Sequence, residues 1–317
     1  MRKQKEEAKK SWLGSGDSKT DEIWFEVANE CEATEFLGYQ NNKSAAEISR
    51  IIYKNKISNK IKHGDEAILV FNQSPFYAES GGQMGDVGIA KNDNFIFRIS
   101  DTQKKTNNIH AHYGVVEKGS VSVGDTVNLQ IESDHRRMIM CNHSATHLLH
   151  ESLRRVLGDH VTQKGSQVSA EKLRFDFSHQ KSLDSDEITR IEETINNLIR
   201  DDSEVMVEVL TYEKAVESGA LALFGEKYSS EVRVLTMGHD SFSKELCGGT
   251  HVRSLGEIEN FKIISQSSVA SGIRRVEAVT GSIALNSLSL IDKINEKERK
   301  LEEKKQTKAK EKTYYSN

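Results

Sequence analysis

Short runs of β-branched and aromatic residues recur along the first two fifths of the chain: EIWFEV (22–27), AILVF (67–71), FIFRISD (95–101), IHAHYGVV (109–116) and VNLQI (127–131). Turn signals such as SGGQMGD, KNDN and VGD separate them, and runs of this length and spacing predict the strands of a small β-barrel over residues 21–132. The texture then changes over residues 133–281. Starting near Arg136, Met138, Cys141, Ala145, Leu148, Leu149 and Val156 recur at steps of three and four, which predicts a helix that ends at Gly158. LRFDF follows as a strand, and DEITRIEETINNLIRDD as a second helix. Asp184 and Glu187 form its capping box, and Ile188, Ile191, Ile195, Leu198 and Ile199 lie along one face. VMVEVL, VRVLTM, FKII and RRVEAV complete an α+β layer. The expected fold class is therefore α+β, a β-barrel followed by an α+β domain. A helix stub and linker are expected over residues 1–20, and over 282–317 a charged helical tail with too few apolar positions to pack firmly.

Composition narrows the partners. With 317 residues there is room for about two domains. A formal net charge of −4 excludes a globally basic nucleic-acid binder, so contact with RNA would have to be local. Cys31, Cys141 and Cys247 are irregularly spaced and form no disulfide framework, and neither a signal segment nor a long apolar span is present. The cytoplasm, with no membrane partner, is the expected location.

Four residues carry the candidate chemistry. His143 and His147 in CNHSATHLLH are spaced i, i+4, which on a helix sets both imidazoles on one face. With His150, they fall opposite the apolar stripe and so are not core histidines, and solvent-facing rings are the plain alternative to a metal site. An H-x-x-x-H pair alone, among eleven histidines, would be no more than that. Cys247 and His251 in CGGTH supply a second half-site at the same spacing, and nitrogen and sulfur donors together favour Zn²⁺. Ser144 stands where a zinc peptidase of the H-E-x-x-H type needs its glutamate, which argues against peptidase chemistry. Cys141 lies on the apolar stripe and reads as a packed thiol.

Several motifs agree on a family. SPFYAESGGQMGD, CNHSATHLLHESLRRVLGDHVTQKGSQV, LRFDFSH, ALFGEKY, ELCGGTHV and SGIRRVEAVTG, spread over about Ala33 to Gly281, resemble the editing region of alanyl-tRNA synthetase. The resemblance implies a barrel followed by an editing domain that hydrolyses serine or glycine wrongly esterified to tRNA(Ala), as free-standing relatives do in trans. Ligation itself is not expected from this chain alone, because no stretch before Ala33 could hold an adenylate-forming site and no glycine-rich phosphate cradle is present. A fragment, a split gene product working with separate synthetase pieces and a free-standing editor all fit.

The resemblance also nominates Thr146, Gln163 and Ser166 as polar groups beside the metal-bound Cys247, able to recognise a substrate hydroxyl. Thr146 could instead bond back to the carbonyl four residues earlier, and Gln163 and Ser166 could be turn residues bent by Gly165. Lys164, Arg274 and Arg275 are candidates for tRNA contact. Arg274 and Arg275 alternate along a strand, so only one can face the site, and a surface salt bridge is the plain alternative. Ser80 to Gln83 is either a hairpin loop or part of the tRNA path. The rival to the deacylase is a zinc-stapled tRNA-binding module without catalysis.

Overall fold

The computed structural model describes residues 18–222 and 230–287. Most of the expected stub, most of the charged tail and all of ALFGEKY except Ala222 lie outside the described residues. The chain divides into two compact units, Met1–Arg136 and Arg137–Asn317. Among the described residues no helix is long and apolar enough to cross a membrane.

The first unit opens with α1 (Ser18–Glu30) and continues through β1 (Glu35–Phe36), β2 (Lys43–Tyr53), β3 (Lys56–Ser58), β4 (Lys60–Lys62), β5 (Glu66–Phe71) and β6 (Gln73–Ser74). The rest comprises β7 (Gly88–Asn92), β8 (Phe95–Lys105), β9 (Ile109–Lys118), β10 (Ser120–Ser122) and β11 (Thr126–Ile131). Six strands pair antiparallel in the order β11-β7-β8-β9-β5-β2, and β11 pairs β2 to close the barrel. Closure removes the exposed edges of the sheet. Alternation fills the interior: Phe95, Phe97 and Ile99 from β8 meet Val127, Leu129 and Ile131 from β11.

Two features depart from expectation. EIWFEV is not a strand but part of α1: Ile23, Trp24 and Val27 are buried against Ile52, Val70, Ile109 and Ala111, whereas Phe25 between them is 60% exposed. That is helical spacing, which a six-residue apolar run cannot declare by itself. β2, which closes the barrel, carries KSAAEIS over its first half, where alanine and serine give little strand signal.

A buried ion pair ties the barrel chain to itself. Arg136 and Asp86 are both almost fully buried. The guanidinium donates to both carboxylate oxygens and to the carbonyls of Gly38 (2.8 Å) and Pro75 (2.9 Å), and Asp86 also accepts the Tyr77 N–H at 2.6 Å.

Two barrel histidines make stability depend on pH. His112 donates from Nδ1 to the Leu69 carbonyl (3.1 Å) and accepts at Nε2 from the Ser74 hydroxyl (2.8 Å), which fixes a neutral ring between Phe71 and Phe76. Burial pushes its pKa down to about 3, and that of His110 to about 4. Both folded values lie below the ordinary 6.5, so the unfolded chain takes up protons that the folded barrel refuses. The stability these rings contribute is complete above pH 6.5 and is lost as pH falls toward 4 and then 3. The expected slope is up to about 1.4 kcal/mol per pH unit per ring. Urea unfolding from pH 7 to pH 4 measures it, and His112→Gln should flatten the acid limb by close to one proton. Parallel limbs would refute this account.

The second unit is built on α2 (Ser133–Leu157), whose first residues belong to the barrel unit. β12 (Gln163–Val168) and β13 (Leu173–Ser178) lead to α3 (Ser185–Asp201), then β14 (Met206–Thr211), α4 (Tyr212–Glu217), β15 (Glu231–Met237), β16 (Ser243–Leu246), β17 (Phe261–Ala270) and β18 (Ile273–Thr280). One antiparallel sheet runs β12-β13-β18-β17 and a second β14-β15-β16. The capping box of Asp184 and Glu187 opens α3, and Ile191, Ile195, Leu198 and Ile199 bury its apolar face. Gly158, at φ +111°, ends α2 in a conformation that glycine adopts without strain.

The expected single apolar stripe on α2 is corrected. Met138 is 39% exposed, whereas all ten residues from Cys141 to His150 are buried, so the histidine face is interior as well. A helix enclosed on several sides can bury a polar face when its polar groups meet partners.

Candidate metal centre

His143 and His147 lie one turn apart on α2, and Cys247 and His251 on the loop after β16. Their ligand atoms all lie within 4.8 Å of one another, so the four residues could hold a metal ion. Cys247 Sγ is 3.5 Å from His143 Nε2 and 3.2 Å from His251 Nε2. The rings crowd together, with centroids 4.3 Å apart for His143 and His251, 5.1 Å for His147 and His251, and 5.2 Å for His143 and His147.

Three of the four residues are held from behind, Cys247, His251 and His147. The Arg233 guanidinium donates to the carbonyls of Cys247 (3.4 Å) and Gly249 (2.7 Å), and the Cys247 N–H returns to the Arg233 carbonyl, which fixes the glycine turn to β15. His251 Nδ1 lies 3.2 Å from Ser144 Oγ, which accepts the Val252 N–H. His147 donates from Nδ1 to Glu245 Oε2 (2.6 Å), and His150 from Nδ1 to Glu245 Oε1 (2.8 Å). His147 Nε2, inside the cluster, is buried without a hydrogen-bond partner.

The electrostatics favour a cation. Burial alone would push the Cys247 thiol up, but His143, His251 and His147 overcome it and hold the thiol well below its ordinary value. Burial also disfavours charge on Glu245, yet His147 and His150 keep that carboxylate low. Against its own burial, His147 is raised by Glu245 at Nδ1 and by Cys247, so the surroundings of this ring favour positive charge. The same surroundings would favour a metal ion. Burial, then His143, pushes His251 down to about 3, which leaves its ring neutral with a lone pair to give.

Thr146 is buried and its hydroxyl donates to the Asn142 carbonyl at 2.8 Å, the backward bond. Gln163 and Ser166 do not form a turn: both lie on β12, half-buried, with a bulge between Gln163 and Gly165. Residues three apart on a regular strand face opposite sides. The bulge sets Gln163 opposite Phe177 and Ser166 opposite Phe175, so both share the face from which Phe175 packs on His150. Arg274 on β18 is also paired with Phe177 and takes that face, whereas Arg275 is paired with Asp176 on the other. Arg274 donates to Ser182 Oγ and its Nε is buried without a partner. Arg275 makes a two-pronged ion pair with Asp176, 2.7 Å at each contact. Lys164, within the bulge, is exposed. Ser80 to Gln83 turns through Gly81 and Gly82, both at positive φ, and buries Gln83.

Glu245, Ser144 and Arg233 were not anticipated. For Glu245 a signal existed: it stands two residues before Cys247 on a strand, the spacing that shares a face.

Residues 1–135 match the family described as tRNA synthetases class II (A), and residues 232–277 the threonyl and alanyl tRNA synthetase second additional domain. The chain is 49% identical over 301 residues to the alanine–tRNA ligase of Parvibaculum lavamentivorans, covering 93% of this chain and 34% of that protein. It is 49% identical over 300 residues to that of Rhizorhabdus wittichii, covering 92% and 34%, and over 286 residues to that of Rickettsia akari, covering 90% and 32%. The chain thus spans about a third of the length of these relatives.

Proposed function

Because the chain belongs to the alanyl-tRNA synthetase family, as a segment of its relatives' length, we propose that it hydrolyses serine or glycine wrongly esterified to tRNA(Ala), using Zn²⁺ held by His143, His147, Cys247 and His251. Residues 133–281 form the editing domain in this reading, residues 21–132 the barrel that accompanies it, and the cytoplasm is where its substrate is found.

The observation that carries the proposal is the convergence of one thiol and three imidazoles within 4.8 Å. Zinc bonds of about 2.3 Å to sulfur and 2.0–2.1 Å to nitrogen give a tetrahedron with sulfur-to-nitrogen edges of roughly 3.6 Å. The distances of 3.5 and 3.2 Å from Cys247 Sγ fit that scale. When bound, the metal would supply positive charge for an ester carbonyl or a point of attachment for the substrate's amino group or ribose.

The chain's own groups account for selection. Gln163 and Ser166 bring polar atoms to the helix-facing side of the sheet, Thr146 is the candidate on α2 itself, and Arg274 takes the same face as Gln163 across β13, where it would meet a phosphate of the tRNA end. Lys164 and Arg275 are weaker candidates for tRNA contact, the latter because Asp176 engages its guanidinium. A site that hydrogen-bonds a substrate hydroxyl rejects an analogue lacking it by roughly 10⁴-fold, whereas a methyl group is worth only about 1–3 kcal/mol.

One observation favours a second reading. Four protein ligands complete a tetrahedron, as structural zinc sites do. That arrangement suits a zinc-stapled tRNA-binding module without turnover. Seryl-tRNA(Ala) incubated with the protein, with alanyl-tRNA(Ala) as the spared control, separates the two. Release of serine that stops in chelator supports the deacylase; tRNA binding without ester loss supports the module.

A further inference from the structure

Glu245 is the most enclosed carboxylate around the cluster, and it contacts one ligand of the proposed metal directly. Its backbone is fixed on both sides: residue 245 pairs with Leu235 of β15 and bridges to Leu221. A side chain on a strand flanked in this way has little freedom to shift. Both of its oxygens are used, one by His147 and one by His150, which lie three residues apart on α2.

A carboxylate accepts and cannot donate, so the Nδ1 of His147 carries a proton, and in the neutral ring that metal binding requires the lone pair lies on Nε2, the atom inside the ligand cluster. His150 lies outside that cluster and donates to the other oxygen, which fixes the rotation of the carboxylate. We propose that Glu245 is the positioning residue of the metal centre, that it sets the tautomer and aim of His147, and that His150 in turn sets Glu245. This rests on the metal reading above.

The substitutions separate these roles. Glu245→Ala removes the acceptor. Glu245→Gln keeps one acceptor for His147 but turns an amide donor toward His150, which must move its proton onto Nε2, an atom already buried without a partner. His150→Phe leaves the contact of Glu245 with His147 and removes only the second anchor.

Zinc affinity is measured by competition with a chromophoric chelator, alongside the visible spectrum of the Co²⁺ form and the thermal midpoint of the metal-free protein. The expected result is one zinc per chain in the wild type, about 10–100-fold weaker binding in Glu245→Ala, smaller losses in the other two, and altered cobalt bands in all three. A wild type that binds zinc while all the variants that fold match its affinity and cobalt spectrum overturns the role of Glu245 and leaves the metal site standing. Lowered metal-free midpoints with unchanged affinity would assign Glu245 to packing alone and overturn it equally. A wild type that takes up neither metal refutes the site itself, and this role with it.

Discussion

Cys247→Ala is expected to lower zinc affinity by about 10²-fold or more and to abolish hydrolysis of seryl-tRNA(Ala). Binding free energies of about 10–16 kcal/mol for four-ligand zinc sites, shared among four donors, assign about 3 kcal/mol to each. The thiolate should exceed an average share, because it is the one anionic donor among the four residues. Metal release on titration with chelator, and serine release at saturating zinc, measure the two effects. Loss of the metal should also lower the thermal midpoint, since a ligand present at 1,000 times its Kd contributes about 4 kcal/mol to the folded state. A variant that keeps full ester hydrolysis without metal would remove zinc from the reaction.

Arg136→Met should destabilise the barrel unit by about 3–5 kcal/mol, because it leaves the Asp86 carboxylate buried without its countercharge. It also deprives the carbonyls of Gly38 and Pro75 of their donor. The exposed pair of Arg98 with Glu117 is the comparison: Arg98→Met should cost less than about 1 kcal/mol. Urea midpoints at unchanged slope measure both. Equal losses would mean that burial does not govern these pairs.

The cluster of His143, His147, Cys247 and His251 was legible because two i, i+4 pairs of nitrogen and sulfur donors leave little else to explain them. The ends of α3 were legible because its capping box is local, satisfied by Asp184 and Glu187 without help from the rest of the fold. What stayed hidden depends on distant contacts. Nothing within EIWFEV says whether Ile52 or water will meet it, and the packing of Trp24 and Val27 decides for a helix. The histidine face of α2 reads as polar, and only its position amid Ser144, Glu245 and Cys247 makes burial affordable. Gln163 and Ser166 carry turn-forming neighbours, so their strand appears only once β13 is there to pair with it.

The bulge in β12 has one more implication. Lys164 is the residue it adds, and pairing resumes at Gly165 whatever side chain stands at 164. Strand pairing therefore constrains this position less than its neighbours, and its charge can be reversed without turning Gln163 or Ser166 to the other side of the sheet. Lys164→Glu would thus test the proposed attraction toward the tRNA backbone while Gln163 and Ser166 keep their register.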